Sequence, residues 1–132
     1  MKYNNPTPVV VSLLPVDNKL LAIRRGIEPC VGRLVFPGGY IDQGETWQEA
    51  SVRELFEETG IELQATQSQL FSVESALQSN HLLLFVVFPK MQKDQVDFSF
   101  SCQEAQGVAL VDKAHKLAFP LHQKIKDQYF TD

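Results

Sequence analysis

Residues 39–61 restrict the fold most tightly, because they read as a glycine turn that leads into a capped amphipathic helix. Thr46 and Glu49 have the S/T-x-x-E spacing of a capping box, and Gly60 supplies a stop signal. Between the two signals, apolar residues recur at i, i+3, i+4 and i+7, the spacing of a stripe that packs on a core. These residues are Val52, Leu55, Phe56 and Thr59.

Acidic residues occupy the other side of this helix. Glu54, Glu57 and Glu58 are related by i+3 and i+4, so they project from one face, and we expect that face to be free for chemistry. A solvated surface helix is the alternative, but such helices usually alternate positive and negative charge. Here Arg53 is the one basic residue of the helix, and it is expected to reach Glu49 at i−4 and Glu57 at i+4. The pattern predicts a divalent-metal site whose carboxylates Arg53 holds in register.

The same segment resembles the Nudix box, whose pattern is G-x5-E-x7-R-E-U-x-E-E-x-G-U with U aliphatic. The resemblance extends to every fixed position, although the box itself covers only 23 of the 132 residues. The matching residues are Gly39, Glu45, Arg53, Glu54, Leu55, Glu57, Glu58, Gly60 and Ile61.

This resemblance implies an enzyme that hydrolyses a pyrophosphate bond in a nucleoside diphosphate linked to another group X, with Mg²⁺ or Mn²⁺ as cofactor. Hard cations neutralise the diphosphate and prefer oxygen ligands, which glutamates provide. By similarity, Glu57 and Glu58 are the principal metal ligands, and Glu54 is a further ligand or the catalytic base. The backbone carbonyl of Gly39 completes the metal shell, and Arg53 orients the glutamates.

Family members often add an acidic residue from a late loop. Glu104 is our candidate for that ligand or base, with Asp97 as the second choice, and Glu45 is expected to give structural support. Both late candidates lie in residues 89–106, a polar stretch that reads as an exposed excursion.

The order of elements predicts the α/β class, with a mixed β-sheet between the Nudix helix and a C-terminal helix, as in the Nudix α/β/α sandwich. Residues 1–132 are expected to form a single domain. The first two apolar runs are expected to pair with each other across the turn at Asp17 and Asn18, and residues 81–88 to form a buried central strand. The predicted elements are Pro8–Leu14, Leu20–Ile23, Leu34–Phe36, His81–Phe88, Gly107–Val111 and the helix Pro120–Tyr129.

Substrate contacts are expected from the segment before the box and from the glycine loop. The candidates are Arg24, Arg25, Gly38, Gly39 and Tyr40. Residues 24–29 and 118–122 resemble the Nudix branch that acts on ADP-ribose, NADH and related dinucleotides. A nucleoside triphosphate pyrophosphohydrolase, including the type that removes oxidised dGTP, is the alternative, and a non-catalytic nucleotide sensor is a second one. Tyr3, Phe71 and Phe98 are further aromatics for stacking on a base.

The composition restricts the classes of partner that we expect for this chain. The net charge of −4 argues against binding to a nucleic acid polymer and favours a small nucleotide. The sequence has no signal-like N-terminus and no run of 18 apolar residues, so we expect a cytoplasmic protein that does not enter membranes. Cys30 and Cys102 are expected to be reduced, and a homodimer is possible. The three histidines, His81, His115 and His122, are expected to lie at the surface or to pack in the core.

Overall fold

The computed structural model describes residues 4–131, so Tyr3 lies outside the described part of the chain. Within this range the chain forms eight strands and two α-helices. Neither helix of residues 4–131 is long and apolar enough to cross a membrane. In chain order the elements are β1 Thr7–Leu13, β2 Pro15–Val16, β3 Lys19–Arg25, β4 Leu34–Val35, β5 Gly38–Tyr40, α1 Trp47–Thr59, β6 Gln69–Ala76, β7 His81–Val87, β8 Ala105–Val111 and α2 Pro120–Tyr129.

Hydrogen bonding arranges the strands into two sheets. In the first sheet, of order β5-β1-β7-β6, strand β1 runs parallel to β7 and antiparallel to β5. In the second, β3 pairs antiparallel with β2, β4 and β8. The α/β class and its mixed sheet are therefore confirmed. The expected pairing of Pro8–Leu14 with Leu20–Ile23 is wrong, because β1 pairs with β5 and β7, and it is the short β2 that pairs with β3.

Alternate strand residues face two separate cores. Leu21 and Val86 pack with Leu55 of α1, whereas their chain neighbours on β3 and β7 pack with Ile125 of α2. Leu20 is one of those neighbours and is fully buried. Because successive strand side chains point to opposite faces, this alternation places the strands between the two helices. The sandwich arrangement expected from the order of elements is therefore confirmed.

Local signals set the ends of α1 as expected. The Thr46 hydroxyl accepts a hydrogen bond from the Glu49 N–H at 3.1 Å, and the Glu49 carboxylate accepts one from the Thr46 N–H at 2.8 Å. Gly60 adopts the left-handed conformation with φ of 76°, and its N–H donates to the Phe56 carbonyl. The capping box and the glycine stop therefore fix both ends of the helix.

The buried face of α1 is rotated from the predicted one. Glu54 and Glu58 are buried, with exposed fractions of 8% and 4%, whereas Phe56 is 49% exposed. At about 100° per residue, the buried arc is centred near Ser51 and Glu58 instead of between Leu55 and Phe56. The expectation of a free glutamate face is therefore wrong for two of the three glutamates, because β5 packs over that side of the helix.

Residues 89–106 do not form a wholly exposed excursion. Val96 is buried in the core that contains Leu55, and Phe98 and Phe100 pack against the same core. This stretch therefore has fixed attachments to the fold, and its end leads directly into β8 with Glu104 as the preceding residue.

Candidate metal site and cleft

Three carboxylates from two distant segments meet at one point. Glu54 and Glu58 lie one turn apart on α1, and Glu104 approaches from the segment before β8. One oxygen from each side chain lies within 4.8 Å of the other two. This spacing suits a single divalent cation, because Mg²⁺ and Mn²⁺ bind oxygen ligands drawn from several side chains.

The glycine loop makes this approach possible. The Gly38 N–H donates to the Glu58 carboxylate at 2.8 Å, and a side chain on Gly38 would overlap the backbone of Val10. A Cβ on Gly39 would overlap the Glu54 carboxylate. Gly38 is therefore required for the close approach of the loop to β1, and Gly39 leaves room for the Glu54 carboxylate in its present position. The loop residues predicted to contact substrate lie directly beside the carboxylates.

Arg53 ties the helix to the preceding loop. Its guanidinium donates to both oxygens of Glu45, at 2.6 and 2.9 Å, and to the backbone carbonyl of Tyr40 at 3.0 Å. It also donates to Glu54 at 2.9 Å and to Glu57 at 3.1 Å. Planar, multidentate donors suit arginine better than lysine. Arg53 therefore holds the glutamates and the loop in one arrangement.

The predicted contact between Arg53 and Glu49 is wrong. The Glu49 carboxylate instead accepts from the N–H of Thr46, so it completes the capping box of α1. Arg53 turns toward Glu45, whose carboxylate also accepts from the Asp42 N–H at 2.8 Å. The structural role expected for Glu45 matches this placement.

Burial gives the glutamates of the site different pKa values. The hydrogen bond from Arg53 lowers the pKa of Glu45 below its usual 4.5. Glu54 contacts the same guanidinium, yet burial raises its pKa to about 7. Burial also raises the pKa of Glu58 to about 9, against the opposing hydrogen bond from Gly38. Two carboxyl groups held from water beside each other favour either protonation or a bound cation.

The remaining predicted ligands are placed differently. Glu57 lies outside the three-carboxylate cluster, and its exposed carboxylate accepts from Arg53. Its assignment as a principal ligand stays a prediction, as does the assignment of the Gly39 carbonyl. Glu104 belongs to the cluster, whereas Asp97 is bonded to Ser99 instead. The structure thus favours Glu104 between the two late acidic candidates.

The cluster opens into a cleft of about 350 Å³. One end is acidic and contains Glu54, Glu58 and Glu104, whereas the rest of the wall is mostly apolar or aromatic. Ligand sites commonly combine such an apolar wall with a few polar groups that set orientation. The other lining residues are Val9, Val11, Ile23, Arg25, Ile27, Val35, Phe36, Gly38, Gly39, Tyr40, Asp42, His81, Leu83 and His122.

Only one of the two arginines proposed as substrate contacts lies at this cleft. Arg25 lines it, stacks its guanidinium 5.2 Å from the centroid of the Phe119 ring, and donates to the Pro29 carbonyl at 2.6 Å. Arg24 does not line the cleft and donates to the Gly32 carbonyl at 3.3 Å. The structure therefore brings Arg25, but not Arg24, to the candidate site.

Aromatic rings also line the cleft. Tyr40 and His81 lie together there, with ring centroids 5.8 Å apart. His122 lies deeper and packs against Phe36 and Phe119, with ring centroids 5.7 and 5.1 Å apart. The sequence suggested a surface or packing role for the His122 side chain, although His122 ends the 118–122 segment that resembles the dinucleotide branch. Its place in the cleft wall depends on residues from several segments.

Comparison with known proteins gives a consistent result. The family model described as NUDIX domain matches residues 5–127. An ADP-ribose pyrophosphatase of Methanocaldococcus jannaschii is 32% identical over 127 residues, which cover 95% of this chain and 74% of that protein. Nudix hydrolase 3 of Caenorhabditis elegans is 35% identical over 68 residues, but these cover 48% of this chain and 28% of that protein.

Solved structures support the same fold. The NUDIX domain of Shewanella oneidensis NrtR complexed with ADP ribose has a TM-score of 0.78 at 18% identity, covering 96% of this chain and 88% of that one. A Francisella tularensis NMN adenylyltransferase/ADP ribose pyrophosphatase complexed with AMP and a Mn ion has a TM-score of 0.67 at 22% identity, covering 84% of this chain. This chain spans only 35% of the Francisella protein and 45% of an Enterococcus faecalis MutT/nudix family protein. At these identities the structures establish the fold alone.

Proposed function

This chain belongs to the Nudix family, and we propose that it hydrolyses the pyrophosphate bond of ADP-ribose to AMP and ribose 5-phosphate with Mg²⁺ or Mn²⁺ as cofactor. The family and the ADP-ribose pyrophosphatase relative make it a pyrophosphohydrolase that acts on a nucleoside diphosphate linked to a group X. The identity of X, the metal and the role of each residue are the proposal.

The observation that carries the proposal is the meeting of Glu54, Glu58 and Glu104 at the acidic end of the cleft. A diphosphate repels an attacking hydroxide, so its hydrolysis needs positive charge at this point. The chain provides hard oxygen ligands there. The cleft beyond them is large enough and apolar enough to hold the organic part of a nucleotide.

The donor set fits a hard divalent cation. All three groups are carboxylates, and two of them are buried with pKa values raised to about 7 and about 9. Such groups gain most from a cation, because it offsets both burial and mutual repulsion. When bound, Mg²⁺ or Mn²⁺ neutralises the diphosphate charge and lowers the pKa of a coordinated water.

We assign the residues as follows. Glu54 and Glu58 hold the cation, and Arg53 fixes Glu54 through its 2.9 Å hydrogen bond. Glu104 faces the same point and is exposed, so it accepts the proton of the attacking water and releases it to solvent. Arg25, which lines the cleft, is the candidate among the two arginines for a contact with the substrate.

The choice of ADP-ribose rests on the Methanocaldococcus jannaschii relative, an ADP-ribose pyrophosphatase of which this chain matches 74%. The complete Nudix box argues against a non-catalytic sensor, because such members usually lose box glutamates. Triphosphate hydrolysis remains the competing activity. A cytoplasmic location and a homodimer also stay predictions.

The test is a hydrolysis screen of the purified protein with Mg²⁺ or Mn²⁺ on ADP-ribose, NADH, nucleotide sugars and common and oxidised dNTPs. Products are separated by ion-exchange chromatography, so that AMP and ribose 5-phosphate are identified directly. We expect the highest kcat/KM for ADP-ribose and no turnover in EDTA. A higher kcat/KM for a triphosphate, with release of inorganic pyrophosphate, would contradict the proposed substrate.

A further inference from the structure

The His122 ring lies in the cleft wall with a fixed proton position. Its Nδ1 accepts a hydrogen bond from the Phe36 backbone N–H at 3.2 Å. An N–H donor cannot bond to a nitrogen that already carries a proton, so the neutral ring has its proton on Nε2. Burial, reinforced by the charge of Arg25, lowers the pKa of His122 to about 3, so the ring stays neutral at physiological pH. The ring therefore offers one N–H donor and no acceptor.

This donor has no acceptor within the described chain. Over residues 4–131, Nε2 of His122 makes no hydrogen bond, and the only fully enclosed side-chain N or O atom without a partner is Ser12 Oγ. Nε2 is therefore not fully enclosed, and because the ring lines the cleft, the N–H is open to it. A donor in such apolar surroundings gains free energy when an acceptor arrives, because little water is available to replace it.

The surroundings indicate which part of a ligand arrives there. His122 packs edge-on against Phe119, whose ring also stacks with the Arg25 guanidinium, and the same cleft is lined by Phe36, Val11 and Leu83. Apolar and aromatic walls suit the flat faces of a nucleobase, whereas a second sugar with several hydroxyls needs more polar partners. The diphosphate belongs at the acidic end of the cleft, so the adenosine half is the part that extends along this wall.

We infer that the Nε2–H of His122 donates a hydrogen bond to an acceptor on the adenosine half of the substrate, which makes His122 a specificity-determining residue. This inference rests on the proposed function. The bond is equally available in the ground state and in the transition state, so it contributes to KM and not to kcat. Since the donor is neutral, its contribution is the same from pH 6 to pH 9.

The matched variants separate this role from a structural one. His122→Asn places an amide oxygen near the position of Nδ1, so it keeps the bond to Phe36 but removes the Nε2–H. His122→Gln places an amide group near Nε2, so it keeps a donor but loses the acceptor for Phe36. His115→Asn is the control, because the Nδ1 of His115 also lies near a backbone N–H, that of Asp112 at 3.1 Å, and near the Asp112 carboxylate at 2.8 Å, but His115 lies outside the cleft lining.

The measurements are calorimetric Kd values for AMP and for ribose 5-phosphate in Mg²⁺, together with KM and kcat for ADP-ribose and Tm. For His122→Asn we expect Kd for AMP and KM to rise about tenfold, the size of one neutral hydrogen bond, with kcat close to wild type. Its Tm should fall, because the smaller side chain loses the packing against Phe36 and Phe119. Binding of ribose 5-phosphate stays unchanged. His122→Gln binds AMP like wild type but has a lower Tm, and His115→Asn binds both ligands like wild type.

Wild-type affinity for AMP in His122→Asn overturns the inference, as does an equal loss for AMP and ribose 5-phosphate. A test on the wild-type protein needs no variant to fold. Among 1-deaza-, 3-deaza-, 7-deaza-, 2′-deoxy- and 3′-deoxy-AMP, we expect one analogue to bind about tenfold more weakly, and equal binding of all five also overturns the inference. Wild-type protein that does not hydrolyse ADP-ribose overturns the proposed function itself, and that result is seen before any variant is made.

Discussion

The two helices bury charge in opposite ways. On α2, Lys126 is fully buried, and its ammonium donates to the carbonyls of Asp112 and Lys113 at 3.0 Å each. On α1, the buried Glu58 accepts one backbone N–H, and its pKa is raised to about 9. Burial of a charge is costly unless partners replace the lost water. Lys126 has two carbonyl partners within the chain, whereas Glu58 has one N–H partner and needs a nearby positive charge when it is ionised. This difference distinguishes a structural charge from a residue suited to bind a cation.

The largest effect should come from removing the charge that lacks an internal partner. Glu58→Gln should lower kcat for ADP-ribose by about 10²–10⁴-fold, because the loss of a metal ligand weakens stabilisation of charge in the transition state. Steady-state kinetics in Mg²⁺ measures the effect. Glu62→Gln is the matched control on an exposed residue just beyond α1, and it should retain wild-type activity. If Glu58→Gln retains more than a tenth of the wild-type activity, the assignment of Glu58 as a metal ligand is wrong.

Replacement of the satisfied charge should affect folding instead. Lys126→Met leaves the carbonyls of Asp112 and Lys113 without their donor, so we expect a loss of about 1–3 kcal/mol in the free energy of unfolding. The loss should be equal in Mg²⁺ and in EDTA, since Lys126 takes no part in the metal site. Urea denaturation in both buffers is the measurement. A loss of stability that appears only in Mg²⁺ would mean that Lys126 affects cation binding, and would contradict its assignment as a structural charge.

The pH dependence of metal stabilisation sharpens the comparison further. Glu54 and Glu58 have folded pKa values of about 7 and about 9, above the ordinary 4.5, so folding favours their protonated forms. Without metal, this contribution to stability is full below pH 4.5 and is lost as pH rises through 7 and 9. A cation binds the deprotonated forms and reverses the loss. The difference in Tm between Mg²⁺ and EDTA should therefore grow from pH 7 to pH 9.

Calorimetric scans of wild-type protein and of Glu58→Gln test this dependence. The variant lacks the group with the higher pKa, so its Tm difference should be smaller and should change less with pH. His122 does not contribute to the pH dependence of stability between pH 7 and pH 9. Its folded pKa of about 3 differs from the ordinary 6.5, so its protonation affects stability only below about pH 6.5. A Tm difference that shrinks toward pH 9 in wild-type protein would contradict the assigned sign.

The smallest effect concerns the apolar side of α1. Phe56 is 49% exposed, so Phe56→Ala should cost less than about 1 kcal/mol in the free energy of unfolding. Leu55→Ala is the comparison, and it should cost about 2–5 kcal/mol because Leu55 is fully buried. Chemical denaturation of both variants tests the rotation of the buried face. Equal losses would restore the arrangement predicted from the apolar stripe.

The sequence predicted the ends of α1 and α2 well, because each end depends on neighbouring residues. Thr46 and Glu49 cap α1 by themselves, and Pro120 begins α2 where expected. The orientation of α1 was not predictable in the same way. The burial of Glu58 depends on Gly38, which lies outside the helix and is placed by its pairing with β1.

The candidate site shows the same division. The Nudix box supplied Glu54 and Glu58, and only the fold favours Glu104 over Asp97. The resemblance of residues 118–122 to the dinucleotide branch pointed to the segment that ends at His122 but not to the role of its side chain, because the surroundings of that ring combine Phe36 just after β4 with Phe119 just before α2. Local patterns therefore identify residues that act through their own helix. They do not identify residues whose role depends on pairing between distant strands.

The position of Glu104 makes a complete carboxylate cluster a reporter of complete folding. Two carboxylates of the cluster come from α1, but the third is supplied 46 residues further along the chain than Glu58. Glu104 is held by its carbonyl, which accepts the Gly26 N–H at 2.8 Å where β3 leads out of the second sheet. The cluster therefore closes only after the first and last thirds of the chain have joined. A ribosome-bound chain that has emerged only as far as β7 carries both carboxylates of the acidic helix but still lacks the proposed base.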